Sequence, residues 1–164
     1  MSSPASFKGH PLHPMLIAFP LALLPCSLIC DLLAFAYPHN PHWPAAALYA
    51  MVGGIIGALV AAIPGVVDML ALSDAKVRRI ARAHMIVNFS VVAVFSADAG
   101  LRLSGDGGTL PVVLSVAGLA LLGVSGWLGG EMVYVHGVAV HPLVDSPAEM
   151  RAKDRVHGSA RPAR

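Results

Sequence analysis

Seven residues in this chain have side chains suited to holding a metal ion or a redox group: His10, His13, Asp68, His84, Asn88, Glu131 and His136. Each lies at or near the end of a long apolar run. A neutral imidazole offers a lone pair to a metal ion or to haem iron. A carboxylate hydrogen-bonded to the other ring nitrogen is the usual support for such a ligand. His10 and His13 are three residues apart, as on one helical turn, but no sequential metal motif accompanies them. Trp127 lies one turn before Glu131 and either packs on a cofactor or fills the core. The chain has no nucleophile elbow, phosphate loop or paired catalytic carboxylates. Gly129-Gly130 follows no strand, so it is not a nucleotide fingerprint.

The elements that must position these residues are membrane helices. Of the 164 residues, 56% are hydrophobic and only 12% are charged, and mean hydropathy is +0.70. A soluble domain of this size carries more charge. Four apolar runs of roughly 20 to 25 residues can each span about 30 Å of hydrocarbon as helix. The expected fold is all-α, an integral membrane four-helix bundle. Its helices are expected over about residues 11–37, 45–72, 83–103 and 110–135. They form one transmembrane domain, residues 1–144, followed by a polar basic tail, residues 145–164, that is partly disordered. Proline costs little in the first helical turn, which admits Pro11 and Pro14. Pro20 and Pro25 should kink helix one, and Pro64-Gly65 should bend helix two. The polar N-terminal residues and the length of the first run argue against a cleaved signal. Cys26 and Cys30 lie one helical turn apart inside helix one. They read as small apolar residues, with a soft-metal or redox pair as the minor alternative.

Orientation follows from lysine and arginine. The stretch between helices two and three holds Lys76, Arg78, Arg79 and Arg82. The tail holds five more basic residues, and Lys8 precedes helix one. The loop between helices one and two has none. Both termini and the basic loop are therefore expected in the cytoplasm, with the protein multi-pass in a bacterial inner membrane. This topology gathers all seven candidate residues into one cytoplasmic-side layer. Histidines then lie near positive helix ends, which favour the neutral ring, and Asp68 and Glu131 lie near negative ends. Acid–histidine hydrogen bonds across helices would satisfy both. A polar seam continues outward: His13, Ser27 and Asp31 share one helical face, as do His84, Asn88, Asp98 and Arg102. Asp31, Asp98 and Arg102 should meet near the outer side as an ion cluster holding helices together.

The opening Gly9-His10-Pro11-Leu12-His13-Pro14 with Phe19-Pro20 resembles the bacterial membrane-protein family known as domain of unknown function 2231. So do Gly126-Trp127-Leu128-Gly129-Gly130-Glu131, the ending Tyr134-Val135-His136-Gly137-Val138, Pro64-Gly65-Val66-Val67-Asp68, and the pair His84 and Asn88. The resemblance covers nearly the whole chain to about His141. It implies four membrane helices. Some relatives are joined to Rieske-type iron–sulfur domains, which implies electron transfer. This chain has no Rieske motif, so such a partner would be a separate protein. Ala18 stands where some relatives carry histidine, which implies fewer ligands or a different role here.

Three functions compete. One is a b-type haem carrier in electron transfer, with His13 and His84 as axial ligands, His10 and His136 in reserve, and Asp68 and Glu131 orienting them. Another is a non-haem zinc, copper or iron protein or transport accessory using the same layer. The third is a structural membrane module with no cofactor, dimeric through the Gly53/Gly57 or Gly126/Gly130 faces. A net charge of +2 gives no reason to expect nucleic acid. The bilayer is the expected partner in every case.

Overall fold

The computed structural model describes residues 3–105 and 108–140. A small antiparallel hairpin, β1 (Ser6–Phe7) and β2 (His10–Pro11), turns through Lys8 and Gly9, both at positive φ. Such a two-residue turn needs that backbone at both positions, which glycine adopts freely. Helix one follows as α1 (Leu12–Leu16) and α2 (Ala18–Ala36). Then come α3 (His42–Leu70), α4 (Ala75–Leu103) and α5 (Thr109–Gly130), and the chain continues as a π-helical turn, Glu131–Val135. Four segments are long and apolar enough to cross a membrane: Leu12–Ala36, His42–Leu70, Ala75–Leu103 and Thr109–Val135. The all-α four-helix architecture is therefore the observed one. The tail 145–164 lies outside the described residues.

The boundaries differ from expectation in two places. Helix one breaks at Ile17, one turn before Pro20, because Pro20 has no N–H for the Leu16 carbonyl and its ring crowds that carbonyl. Pro25 and Pro64 lie inside helices that continue through them. The larger correction concerns the basic stretch expected as loop. Residues 75–82 are the first two turns of α4. Asp74 caps that helix, its carboxylate accepting from the N–H groups of Lys76 (2.7 Å) and Val77 (3.0 Å). These bonds, Val77 first, hold the Asp74 carboxyl below the usual aspartate range. Alanine, lysine and arginine are good helix formers, so a capped start extends readily through them. His84 is consequently inside a helix rather than at its beginning.

Large apolar side chains cover the outside, with Phe35, Tyr49, Ile63 and Leu70 among those exposed, as expected of helices solvated by lipid. Leu24, Met51, Val91, Phe95, Ala99 and Leu122 form the buried centre. Lipid tails are as apolar as leucine, so close packing of small residues has to hold such helices together. A Cβ on Gly54 would fall 2.6 Å from a Leu24 methyl, and one on Gly118 would fall 2.6 Å from the Phe95 ring. A Cβ on Gly57 would meet Phe19 at 2.9 Å, and one on Gly53 would meet Leu23 at 3.2 Å. The Gly53/Gly57 face, expected as a dimer surface, thus packs helix one within the same chain.

Away from the histidines, the expected ion cluster closes the bundle. Arg102 donates to both oxygens of Asp31, Nη1 at 2.5 Å and Nη2 at 2.8 Å, while its Nε reaches Asp98 at 2.7 Å. Ser115 of α5 joins it, its hydroxyl donating to Asp98 at 2.6 Å. Asp98 is fully buried. Charges this deep persist only when paired and hydrogen-bonded. Here one guanidinium ties together α2, α4 and α5.

Candidate functional site

Two histidines face each other across the bundle at the end that carries the basic turns of α4. The ring centres of His13 and His84 are 6.3 Å apart and their planes are perpendicular. Each ring is fixed in the same way by the next helix. His13 Nδ1 donates to the Ala61 carbonyl at 2.8 Å, and His84 Nδ1 donates to the Ser125 carbonyl at 2.9 Å. A carbonyl can only accept, so in the neutral ring Nδ1 carries the proton and Nε2 keeps the lone pair. Four residues beyond each carbonyl stands a glycine against the ring. A Cβ on Gly65 would lie 2.9 Å from His13 Nδ1, and one on Gly129 would lie 3.3 Å from His84 Cε1.

The rings line a cavity of about 460 Å³ whose wall is mostly apolar and includes Gly126, Gly129 and Gly130. That volume falls in the range of small-molecule and cofactor sites. Beyond the imidazoles, Asp68 and Asn88 also border it. Asn88 lies one turn after His84, and its amide donates both to the His84 carbonyl (2.9 Å) and toward His84 Nε2 (3.1 Å). His13 Nε2 has no hydrogen-bond partner among the described residues.

The remaining expected residues fall in other places. Asp68 orients no histidine. Its carboxylate accepts from the Ser3 hydroxyl (2.8 and 2.9 Å) and from the Ala5 N–H (3.0 Å), fastening the N-terminal segment to the end of α3. Glu131 Oε1 lies 3.9 Å from His136 Nε2, and that nitrogen is buried with no hydrogen-bond partner among the described residues. His10 is exposed on β2. Trp127 is 77% exposed and does not border the cavity, so it does not fill the core. Carbonyls of the neighbouring helix, and not the expected carboxylates, orient the two rings. Sequence reasoning missed Ala61, Gly65, Ser125 and Gly129. The recurring four-residue step to a glycine was the available signal.

No group of three or more histidine, cysteine, aspartate or glutamate side chains among the described residues could hold a metal ion. Cys26 is exposed and Cys30 buried, both as free thiols. The arrangement therefore offers one free imidazole nitrogen, His13 Nε2, and a second, His84 Nε2, held by Asn88, beside a mostly apolar cavity. No curated protein and no solved structure matches the sequence. A family of predicted membrane proteins does match, over residues 9–142, a span that takes in the opening His-Pro motif, both cavity histidines and the Gly-Trp-Leu-Gly-Gly-Glu block; the chain belongs to that family, DUF2231.

Proposed function

We propose that this membrane protein holds a b-type haem between His13 and His84 and passes electrons through it. The observation carrying this reading is the matched pair of imidazoles, each with Nδ1–H tied to a carbonyl and a ring centre 6.3 Å from the other. His13 and His84 would hold the iron through Nε2, His84 once Asn88 gives up its contact with that nitrogen. A porphyrin supplies four of the iron's ligands, so two histidines suffice. Structural zinc and most non-haem iron sites use three or more protein donors, and no such group of histidine, cysteine, aspartate or glutamate side chains occurs among the described residues.

The residues divide the work. Ala61 and Ser125 carbonyls fix the ring orientation and make each imidazole a better donor. Gly65, Gly126 and Gly129 keep the wall low where a flat group would lie. The mostly apolar lining would suit the porphyrin face. When bound, a haem would supply a one-electron carrier, with its potential tuned by the residues around it. Electrons would come from or go to a separate redox protein, an iron–sulfur protein being the class the family resemblance favours. Four basic residues in the first turns of α4 support the reading that the histidine end faces the cytoplasm of a bacterial inner membrane.

The test is an absorption spectrum of the detergent-purified protein, expressed with haem supplied, oxidised and then reduced with dithionite, together with elemental analysis. A Soret band with sharpened visible bands on reduction is expected, and it should vanish in the His13→Ala/His84→Ala double variant. A colourless protein with stoichiometric zinc, copper or iron would move the same histidines to a non-haem site. A colourless, metal-free protein would leave a structural module.

A further inference from the structure

The two halves of the bundle repeat each other. Helix-one residues and α4 residues 71 positions later occupy equivalent places, as do α3 residues and α5 residues 64 positions later. His13 and His84 are one such pair, and the carbonyls they bond, Ala61 and Ser125, are another. Gly65 and Gly129 back the two rings, while Gly54 meets Leu24 as Gly118 meets Phe95. Pro20 and Val91, Ser27 and Asp98, Ala47 and Pro111, and Met51 and Ser115 are buried alike. Equivalent residues also touch across the centre. Asp31 is bonded to Arg102, 71 residues away, and His13 faces His84. That is the signature of one helical hairpin used twice in the same orientation, about an axis running along the bundle. The histidines lie on either side of that axis.

Two side chains by the rings break the equivalence. Ser125 replaces Ala61 and adds a hydroxyl 3.2 Å from His84 Nδ1, on the side already bonded to the carbonyl. Asn88 replaces Ile17 and acts on the other nitrogen. Its amide occupies the His84 Nε2 lone pair at 3.1 Å, whereas Ile17 has nothing to donate and His13 Nε2 has no hydrogen-bond partner among the described residues. The same scaffold thus presents one free donor nitrogen and one that is held.

We propose that Asn88 makes the two histidines unequal, so that His13 is the fixed ligand and His84 a displaceable one, leaving a coordination position for a small neutral diatomic ligand. This rests on the reading of the cavity as a haem site. Asn88 is a positioning residue: it acts through His84. Loss of its hydrogen bond frees Nε2 to compete for the iron, and one such bond is worth roughly a three- to tenfold change in an equilibrium.

The experiment measures carbon monoxide affinity and spin state of the dithionite-reduced full-length protein, in the wild type and in Asn88→Ile, which restores the first-half residue. Asn88→Ala, which removes the donor without adding a branched side chain, serves if Asn88→Ile fails to fold. Either variant should bind carbon monoxide roughly three- to tenfold more weakly than the wild type and shift toward a low-spin, six-coordinate spectrum. His84→Ala should keep its haem and His13→Ala should lose it. A coloured wild type whose Asn88 variants match it in affinity and spin state overturns the Asn88 assignment alone. So does haem loss in His84→Ala with retention in His13→Ala. A wild type that takes up no supplied haem overturns the haem reading and this inference with it.

Discussion

At the scale of single residues, the site depends on how little room surrounds each imidazole. Gly65→Ala would put a methyl 2.9 Å from His13 Nδ1, and the ring would have to leave the Ala61 carbonyl to avoid it. We expect a loss of about 1–3 kcal/mol from overpacking and, on the proposed function, a fall in bound haem per protein measured by pyridine haemochrome. Gly100→Ala is the control. Nothing lies within 4 Å of its added Cβ, and alanine favours helix by up to about 1 kcal/mol, so both readouts should hold or improve. The ion cluster predicts a contrast of its own. Arg102→Ala would strand Asp31 and the fully buried Asp98, costing about 3–5 kcal/mol. The apolar triple variant Asp31→Leu/Asp98→Leu/Arg102→Met removes all three charges together and should recover most of that loss. Thermal unfolding followed by circular dichroism in one detergent would compare them.

Secondary-structure elements carry the next predictions. The start of α4 rests on Asp74, whose carboxylate caps the helix and is held below the usual aspartate range by the Val77 and Lys76 N–H groups. A lowered folded-state pKa stabilises above the unfolded value, and the contribution disappears as pH falls through the folded one. Amide protection factors of residues 75–79, taken against the intrinsic exchange rate at each pH, should therefore fall on acidification below the ordinary aspartate range. Asp74→Ala should show that low protection already at neutral pH, with no acid step. The charge distribution among elements also fixes an expected topology. With Cys26 and Cys30 replaced by alanine, a membrane-impermeant thiol reagent added to intact spheroplasts should label Asn40→Cys in the α2–α3 loop and spare Ser73→Cys in the α3–α4 loop. The reverse pattern would invert the protein and place the histidines outside.

For the molecule as a whole, the repeated hairpin makes a simple statement about assembly. Each half packs its own two helices through a glycine under a bulky side chain, Gly54 under Leu24 and Gly118 under Phe95. The halves then meet through the shared apolar centre, with the histidines at one end and Arg102 with Asp31 at the other. Residues 1–72 and 73–164 expressed as separate chains should therefore reassociate in the membrane and copurify. Asp31→Ala in the first chain, which removes the bond to Arg102, should weaken the copurification.

Several things were decided by the sequence alone. Apolar runs long enough to cross a bilayer, with charge confined to their ends, leave four helices as the solution because hydrocarbon satisfies no backbone hydrogen bonds. Helical periodicity put Asp31 within reach of Asp98 and Arg102, and the pair His13 and His84 was visible as two histidines brought to one layer. Tertiary structure decided what those histidines touch. Their partners are the carbonyls of Ala61 and Ser125, and backbone acceptors carry no residue-type signal. Asp68, a plausible partner by position, is taken by Ser3 and Ala5, a contact across 65 residues that local patterning cannot foresee. The extension of α4 through its arginines came from a single cap at Asp74. The repeat stayed hidden because burial and contact were kept while identity survived at few positions, such as His13 with His84 and Gly54 with Gly118: Leu24 answers to Phe95, Ser27 to Asp98 and Asp31 to Arg102, and packing tests volume and position before chemical type.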